Sequence, residues 1–476
     1  DYVSGASIMI RRESFEDLGL FDTRFEPAYY EDTDLAFKVR EAGFKVYYQP
    51  RSEVVHYEGV SHGTAESEGI KRYQTENRRK FYEKWQSVLL REHFPNGKFV
   101  LRARDRARKK TTVLVIDHYV PHFDMDAGSR STFLYLKLLV DAGCQVKFIG
   151  DNFYRHEPYT QTLQGMGIEV LYGEYYERKW KAWLQIHSAE IDIIYMMRPH
   201  VAEKYIDAIN QLEPKPRTIY FGHDLHFLRL RRQAEISQDA VIADESAACR
   251  DKEFELFYKF DRIYYPSEIE VEEIKSREPS LPVKAIPLYP IQDFDETPVD
   301  FIEREGLLFV GGFNHPPNAD GLLWFVDQVL PQIRSDIRLN IVGSNMPSRI
   351  RSLDNDQIDV RGFLSDKDLD DLYRRVRIAI VPLRFGAGVK GKVLEAMNLG
   401  VPVVTTSIGA EGIPTSADSL FVTDSADRMA HQINSIINDI ELLNKHSELG
   451  RQAVRRYFSA ESALSIISED FLLQPR

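Results

Sequence analysis

The chain predicts an α/β fold with two Rossmann-like domains facing each other across a cleft. Three observations predict it. Short apolar runs alternate with helical patterns from residue 111 onward. That alternation is expected of parallel strands covered by helices on both faces. The pattern restarts near residue 306, so the layout is doubled. Third, PLRFGAGVKGKVLEAMNLGVPVVTT (382–406) joins two apolar strands through a glycine-rich loop and a helix.

Four segments follow in order: 1–65, a small α/β piece; 66–110, a charged helical linker; 111–295, the first Rossmann-like domain; and 296–476, the second. The first domain opens with the strand TTVLVID and a loop. A helix near 129–142 follows, whose Phe133, Leu134, Leu136, Leu138 and Leu139 form a broad apolar face. CQVKFIG, IEVLYG, IDIIYM, RTIYFG and DRIYYP are its further strands. The second domain has GLLFVGG, IRLNIVG, QIDVRG, RIAIVP and VPVVTT. Ser365 and Asp368 form an N-terminal capping pair for the helix after Gly362. Residues 461–473 read as a final helix. In such a fold, ligands bind at the carboxyl ends of the strands.

The segment 382–406 carries the strongest chemistry. Gly386, Gly388 and Gly391 let backbone N–H groups approach a ligand. The helix N-terminus adds partial positive charge, and Lys390 and Lys392 add full charges. Together they suit a diphosphate. Glu395, one turn further, suits ribose hydroxyls. The competing reading is an ordinary strand–loop–helix with solvated lysines.

Three other loops lie at strand ends. In VGGFNHPPNADG, Gly311 and Gly312 allow close backbone approach, with Asn314 and His315 at the cleft mouth. A tight turn before a proline-started helix explains the same residues. In DHYVPHFDMDAGSRST, Asp126 or Ser129 caps a helix, or the loop faces the cleft with Arg130 near phosphate. In FGHDLHFLRLRR, His223 and Asp224 follow a strand, at the end where active-site groups of α/β folds gather, and a structural histidine is the competing reading. Arg229, Arg231 and Arg232 fit an anionic acceptor or a solvated helix face.

Composition narrows the classes. The chain has 476 residues, 43% of them hydrophobic, so several cores are possible. A net charge of −12 argues against a general nucleic-acid binder. The two cysteines, Cys144 and Cys249, make no disulfide framework and no metal-ligand spacing, which fits a reducing cytoplasm. No apolar run reaches the roughly 20 residues of a membrane helix. The basic run LRARDRARKK (101–110) is either a solvated linker or a peripheral contact with an anionic membrane face. The sequence starts at Asp1 in mid-pattern, as a piece of a longer protein would.

The segment GAGVKGKVLEAMNLGVPVVTT resembles the donor-binding segment of glycosyltransferase family 4, which has the GT-B fold. The resemblance spans most of 111–476. It implies a nucleotide-diphosphate-sugar donor, transfer with retention and a C-terminal helix crossing back to the first domain. It also implies no metal for this part. The loop at Gly311 and Gly312 would lie near the donor phosphates. His223 and Asp126 become catalytic candidates. The family's first glutamate position holds Ala387 here, and Glu395 is the second.

The front piece, SGASIMIRRESFEDLGLFDTRFEPAYYEDTDLAFKVREAGFKVYYQPRSEVVHYEGVSHG, resembles the acceptor-side half of a family 2 glycosyltransferase, of the GT-A fold. Glu31 and Asp32 match its acidic pair, with Asp32 as general base. His56 matches a histidine that helps hold a divalent metal, manganese or magnesium, and His62 is a weaker companion. The competing reading is that Glu31, Asp32 and Asp34 decorate a helix N-terminus. That family's nucleotide-binding half is not in this sequence, so the remnant is expected to be inactive.

The expected function is transfer of a sugar from a nucleotide-diphosphate sugar to a glycan or lipid-linked glycan, in bacterial surface polysaccharide synthesis. The alternatives are a catalytically degenerate GT-B module that binds nucleotide sugar or glycan and scaffolds a neighbouring transferase, and a nucleotide-sugar epimerase.

Overall fold

The computed structural model describes residues 2–49, 51–55, 69–414 and 416–473. The chain divides into two compact units, 1–110 and 111–476.

In the first unit, helices α1 (Arg12–Asp17), α2 (Glu31–Glu41), α3 (Arg72–Glu92) and α4 (Val100–Ala103) are formed. Among its described residues there is no strand. The aromatic-rich run at 44–48 lies open, with Phe44, Tyr47 and Tyr48 exposed. A strand needs a neighbour for its backbone hydrogen bonds, and the described residues supply none here. Residues 66–110 are more than a linker. Helix α3 contributes Phe81 and Trp85 to a small core with Phe25 and Phe37. Buried Asp34 accepts from Trp85 Nε1 at 2.7 Å and pairs with Lys84 at 2.7 Å. Buried Asn77 donates to the carbonyls of Phe25 and Ala28 at 2.7 and 2.8 Å. In the basic run, Arg102 donates to Ala107 and Lys110 carbonyls, and Arg108 to those of Leu90 and His93. These two guanidiniums serve local backbone.

The second unit holds two parallel sheets. The first lobe runs β1 (Thr112–Asp117), α5 (Ala127–Asp141), β2 (Gln145–Gly150), α6 (Tyr159–Gly165), β3 (Glu169–Val170), α7 (Glu174–His187), β4 (Ile193–Met197), α8 (Pro199–Ile209), β5 (Arg217–Phe221), α9 (His226–Ser237), α10 (Ala240–Phe257), β6 (Arg262–Tyr265), α11 (Glu268–Arg277) and β7 (Val283–Ala285). Its strand order is β3-β2-β1-β4-β5-β6-β7. The register is in phase, for example Val113 opposite Val146 on one side and Ile193 on the other. The inner strands are buried on both faces, which is why their sequences are continuous apolar runs.

The second lobe runs β8 (Leu307–Val310), α12 (Pro316–Trp324), β9 (Leu339–Val342), α13 (Ser348–Arg351), β10 (Ile358–Gly362), α14 (Asp366–Tyr373), β11 (Ile378–Val381), α15 (Gly391–Asn398), β12 (Val403–Thr405), α16 (Ser416–Ser419), β13 (Phe421–Val422), α17 (Ala426–Ile436), α18 (Ile440–Tyr457) and α19 (Ala460–Ile467). Its order is β10-β9-β8-β11-β12-β13. Both orders reverse direction once, between β1 and β4 and between β8 and β11. A crevice opens at the carboxyl ends of the strands where that reversal occurs.

The last helix crosses back to the first lobe. Ile291 and Ser459 form an isolated parallel bridge between the two segments that connect the lobes. Ala463, Ile467 and Phe471 then join the first lobe's core. Buried Asp470 pairs with Arg217 at 2.6 Å, Arg262 at 3.0 Å and Lys284 at 3.2 Å, and accepts from Tyr264. The tail thus ties the lobes together through an apolar face and a buried charge cluster.

Candidate donor site between the lobes

The loops after β8 and β11 lie side by side, because those strands pair directly. This adjacency brings Gly311 and Gly312 to the loop holding Gly386, Gly388, Lys390 and Lys392. The junction is Asn318 of α12, a residue the sequence did not single out. Its side chain donates to the Gly312 carbonyl at 2.8 Å and accepts from Lys392 Nζ at 2.7 Å. Asn314 and His315 are exposed beside it.

Helix α15 begins at Gly391, with Lys390 at its N-cap. Gly391 packs against buried Tyr289, where a Cβ would lie 2.2 Å from the Tyr289 hydroxyl. Gly388 has φ +71, a backbone conformation suited to glycine. Its N–H donates to Glu411 Oε1 at 3.1 Å, and a Cβ there would come within 3.0 Å of the His223 carbonyl. The glycine loop therefore touches the His223 loop of the opposite lobe.

The two lysines sit differently. Lys390 Nζ folds back on the carbonyls of Ala387, at 3.2 Å, and Gly388. Burial lowers its pKa, while Glu411 and Glu270 oppose that shift. Burial pushes Lys392 down to about 7, against Glu395 and with Lys390 adding to the fall. Glu395 accepts from Arg130 Nη1 at 2.8 Å. Arg130 thus reaches the candidate ribose residue, while its other nitrogen pairs with Asp366 at 2.9 Å.

On the first lobe, Asp126 caps α5. It accepts from Ser129 N at 2.8 Å, Ser129 Oγ at 2.7 Å and Tyr119 at 3.0 Å. The Ser129 contacts are those of a helix cap, and Tyr119 adds a hydrogen bond from the preceding loop. His223 follows β5, and both ring nitrogens are buried with no hydrogen-bond partner among the described residues. Burial, with Arg198 adding, lowers its pKa to about 4 against Asp117. The ring is neutral near pH 7, with one donor and one acceptor to offer. Arg198 pairs with Asp117 at 2.7 Å, and its Nη2 is also buried without a partner.

The three arginines of α9 are neither a solvated face nor an open anion site. Arg229 pairs with Asp224 at 2.9 Å, Arg231 with Glu273 at 2.7 Å and Arg232 with Glu411 at 2.6 Å. Arg232 also donates to the Gly386 carbonyl at 2.6 Å. Buried Glu270 and Glu411 were missed in the sequence. Only tertiary packing places them against the glycine loop, so no local spacing signals them.

In the first unit, Asp32 accepts from Gly5 N at 2.8 Å and Thr33 N at 2.6 Å. Glu31 has one buried carboxylate oxygen without a partner among the described residues. His56 and His62 lie outside the described residues.

Residues 304–439 match the family described as glycosyl transferases group 1. The chain is 37% identical over 120 residues to an uncharacterised 44.6 kDa protein of the cps region of Klebsiella pneumoniae, covering 23% of this chain and 31% of that protein. It is 37% identical over 62 residues to an N-acetylglucosaminyl-diphospho-decaprenol L-rhamnosyltransferase of Mycobacterium tuberculosis, covering 13% of this chain and 20% of that protein. The chain thus spans a third or less of these curated relatives. Among solved structures, sucrose-phosphate synthase from Thermosynechococcus elongatus superimposes with TM-score 0.59 at 16% identity, over 76% of this chain and 98% of that one. Anabaena HepE, solved with UDP and glucose, superimposes with TM-score 0.55 at 13% identity, over 76% and 99%. Among the described residues, no helix is long and apolar enough to cross a membrane. The second unit has the GT-B fold and carries a glycosyltransferase domain of group 1 type over residues 304–439.

Proposed function

We propose that the second unit transfers a sugar from a nucleotide-diphosphate sugar to a glycan or lipid-linked glycan. One observation carries this reading. Two glycine loops meet at the second sheet's reversal point, and the N-terminus of α15 opens there between Lys390 and Lys392. The diphosphate is assigned to that seat and the ribose to Glu395. HepE, solved with UDP and glucose, supports a nucleotide donor. The cps-region relative supports a place in surface polysaccharide synthesis.

In the reaction, the bond from the anomeric carbon to the diphosphate breaks, and the electron pair leaves on the diphosphate. The acceptor oxygen bonds to that carbon, and its proton passes to the departing phosphate. Retention of configuration follows from the family 4 resemblance. Negative charge grows on the diphosphate, where Lys390, Lys392 and the α15 dipole stabilise it without a metal. Neutral His223 holds the sugar or acceptor by hydrogen bonds. Losing one such charge-stabilising contact typically costs roughly 10²–10³ in rate. The first unit, with Asp32 bound to backbone N–H groups, is assigned no transfer of its own.

A scaffold reading is favoured by Ala387, which brings no carboxylate to the sugar, and by Arg130 occupying Glu395. Calorimetry with UDP, GDP, dTDP, CMP and their sugars, without metal and then with manganese, tests the proposal. Metal-independent, saturable binding of one nucleoside diphosphate, lost in Lys390→Ala, is expected. Binding without turnover on any glycan acceptor would favour the scaffold. Absence of binding would remove the donor assignment.

A further inference from the structure

A second cluster of chemistry lies on the first lobe, where α9 meets α10. His226 is the first residue of α9. Cys249 and Glu253 stand one turn apart on α10, so both side chains leave the same helix face. One ligand atom from each of the three lies within 4.8 Å of the others. Cys249 Sγ is 3.7 Å from Glu253 Oε2.

The side chains are held for this arrangement. Glu253 is 3% exposed and accepts from the backbone N–H groups of His226 at 3.1 Å and Phe227 at 3.0 Å. Oε1 therefore keeps a lone pair, while Oε2 also accepts from the Cys249 thiol at 3.7 Å. The His226 ring has Nε2 3.5 Å from Asp224 Oδ1. A carboxylate on one ring nitrogen is the usual means of orienting a metal-ligating histidine. Arg229 fixes Asp224 in turn, at 2.9 Å.

We propose that His226, Cys249 and Glu253 form a binding site for one zinc-class divalent cation, which joins the start of α9 to α10. The ligand chemistry selects the ion. A thiolate with an imidazole suits zinc, whereas calcium and magnesium take oxygen ligands. Zinc bonds of about 2.0–2.3 Å put tetrahedral ligands roughly 3.3–3.7 Å apart. The Cys249–Glu253 separation already has that value, and a His226 ring nitrogen lies within 4.8 Å of both ligand atoms. Three protein ligands leave a fourth position, which solvent fills from the half-buried Cys249 side.

The cation would also affect the cleft. His226 is three residues from His223, whose carbonyl faces Gly388. A loaded site fixes the His226 end of that short loop. The donor assignment does not enter this inference, and the test reads metal binding alone.

Metal-stripped protein is titrated with cobalt and then with zinc against a chromophoric chelator. One equivalent is expected, with a cobalt–thiolate charge-transfer band that zinc abolishes. The chain has two cysteines, and Cys144 is buried in the core. Cys144→Ala should therefore keep the band. Cys249→Ser should lose it and weaken zinc at least ~100-fold, and His226→Gln should weaken zinc by at least ~10-fold. No stoichiometric zinc, or a band absent from the wild-type protein, would overturn the site. So would zinc affinity unchanged in Cys249→Ser but lost in His118→Gln, since His118 and His200 lie 3.4 Å apart and are the competing pair. Should Cys249→Ser fail to fold, the band in wild type and in Cys144→Ala still decides.

Discussion

Arg130 in the first lobe and Glu395 in the second are joined by a 2.8 Å hydrogen-bonded ion pair, with Asp366 on the same guanidinium at 2.9 Å. One planar fork thus holds α5 against both α14 and α15. The Arg130 side chain is 33% exposed, so solvent screens part of the attraction. A coupling energy of about 1 kcal/mol is expected between Arg130→Ala and Glu395→Gln in a double-mutant cycle. Urea unfolding of the four proteins measures it. Strict additivity would mean that this contact does not hold the lobes.

Lys392 predicts the pH dependence of donor binding. Its pKa without ligand is held down to about 7 by burial. A bound diphosphate favours the charged ammonium and raises that value. Between the two values, binding must take up a proton. Nucleoside diphosphate affinity should therefore fall about tenfold per pH unit as pH rises above ~7. Calorimetry from about pH 7 to 9 checks this. A slope that persists in Lys392→Ala would assign the proton to another group.

Much of this site was legible because its parts are local. Gly386, Gly388, Lys390 and Lys392 fall within seven residues, and glycine with lysine at a helix start carries its chemistry in that spacing. The strand runs were equally readable, since burial on both faces demands continuous apolar residues. Other features come only from tertiary contact. Arg130 and Glu395 are 265 residues apart in sequence, and Asn318 meets Lys392 across 74. No pattern foretells that Glu270 and Glu411 back the glycine loop. The metal-type cluster was hidden for the same reason, because His226 comes from a different helix than Cys249 and Glu253. In the first unit, helix α3 reads as a linker because nine of its 21 residues are charged. Two aromatic residues, Phe81 and Trp85, are what make it part of a core.

Asp470 predicts a stability effect far from the donor site. Burial raises its carboxyl, but Tyr264, Lys284 and Arg262 outweigh that and hold it below the ordinary value. A carboxylate with a depressed folded pKa stabilises at pH values above its unfolded pKa, near 4. That contribution is lost as pH falls through the folded value. Asp470→Asn leaves Arg217, Arg262 and Lys284 without their shared anion, at a cost of about 3 kcal/mol at pH 7. The difference from wild type should shrink below about pH 4. Thermal unfolding at the two pH values measures it, and a pH-independent difference would mean that packing, not charge, holds the tail.

Gly391 predicts a steric effect at the donor helix. The Cβ of Gly391→Ala would lie 2.2 Å from the hydroxyl of Tyr289 and 2.8 Å from its ring carbon Cζ. Tyr289 is buried, so its ring has little room to retreat. Overpacking of this kind costs about 1–3 kcal/mol. The Tyr289 hydroxyl has no hydrogen-bond partner among the described residues, so Tyr289→Phe alone should be close to neutral. It removes the nearer clash and should recover part of the Gly391→Ala loss in the double variant. If Tyr289→Phe recovers nothing, the loss belongs to the start of α15 rather than to this contact. Nucleotide binding discriminates further, because the same methyl group pushes the α15 N-terminus away from the diphosphate seat. Gly391→Ala should weaken nucleoside diphosphates more than nucleosides, and the double variant should restore the diphosphate preference in step with stability.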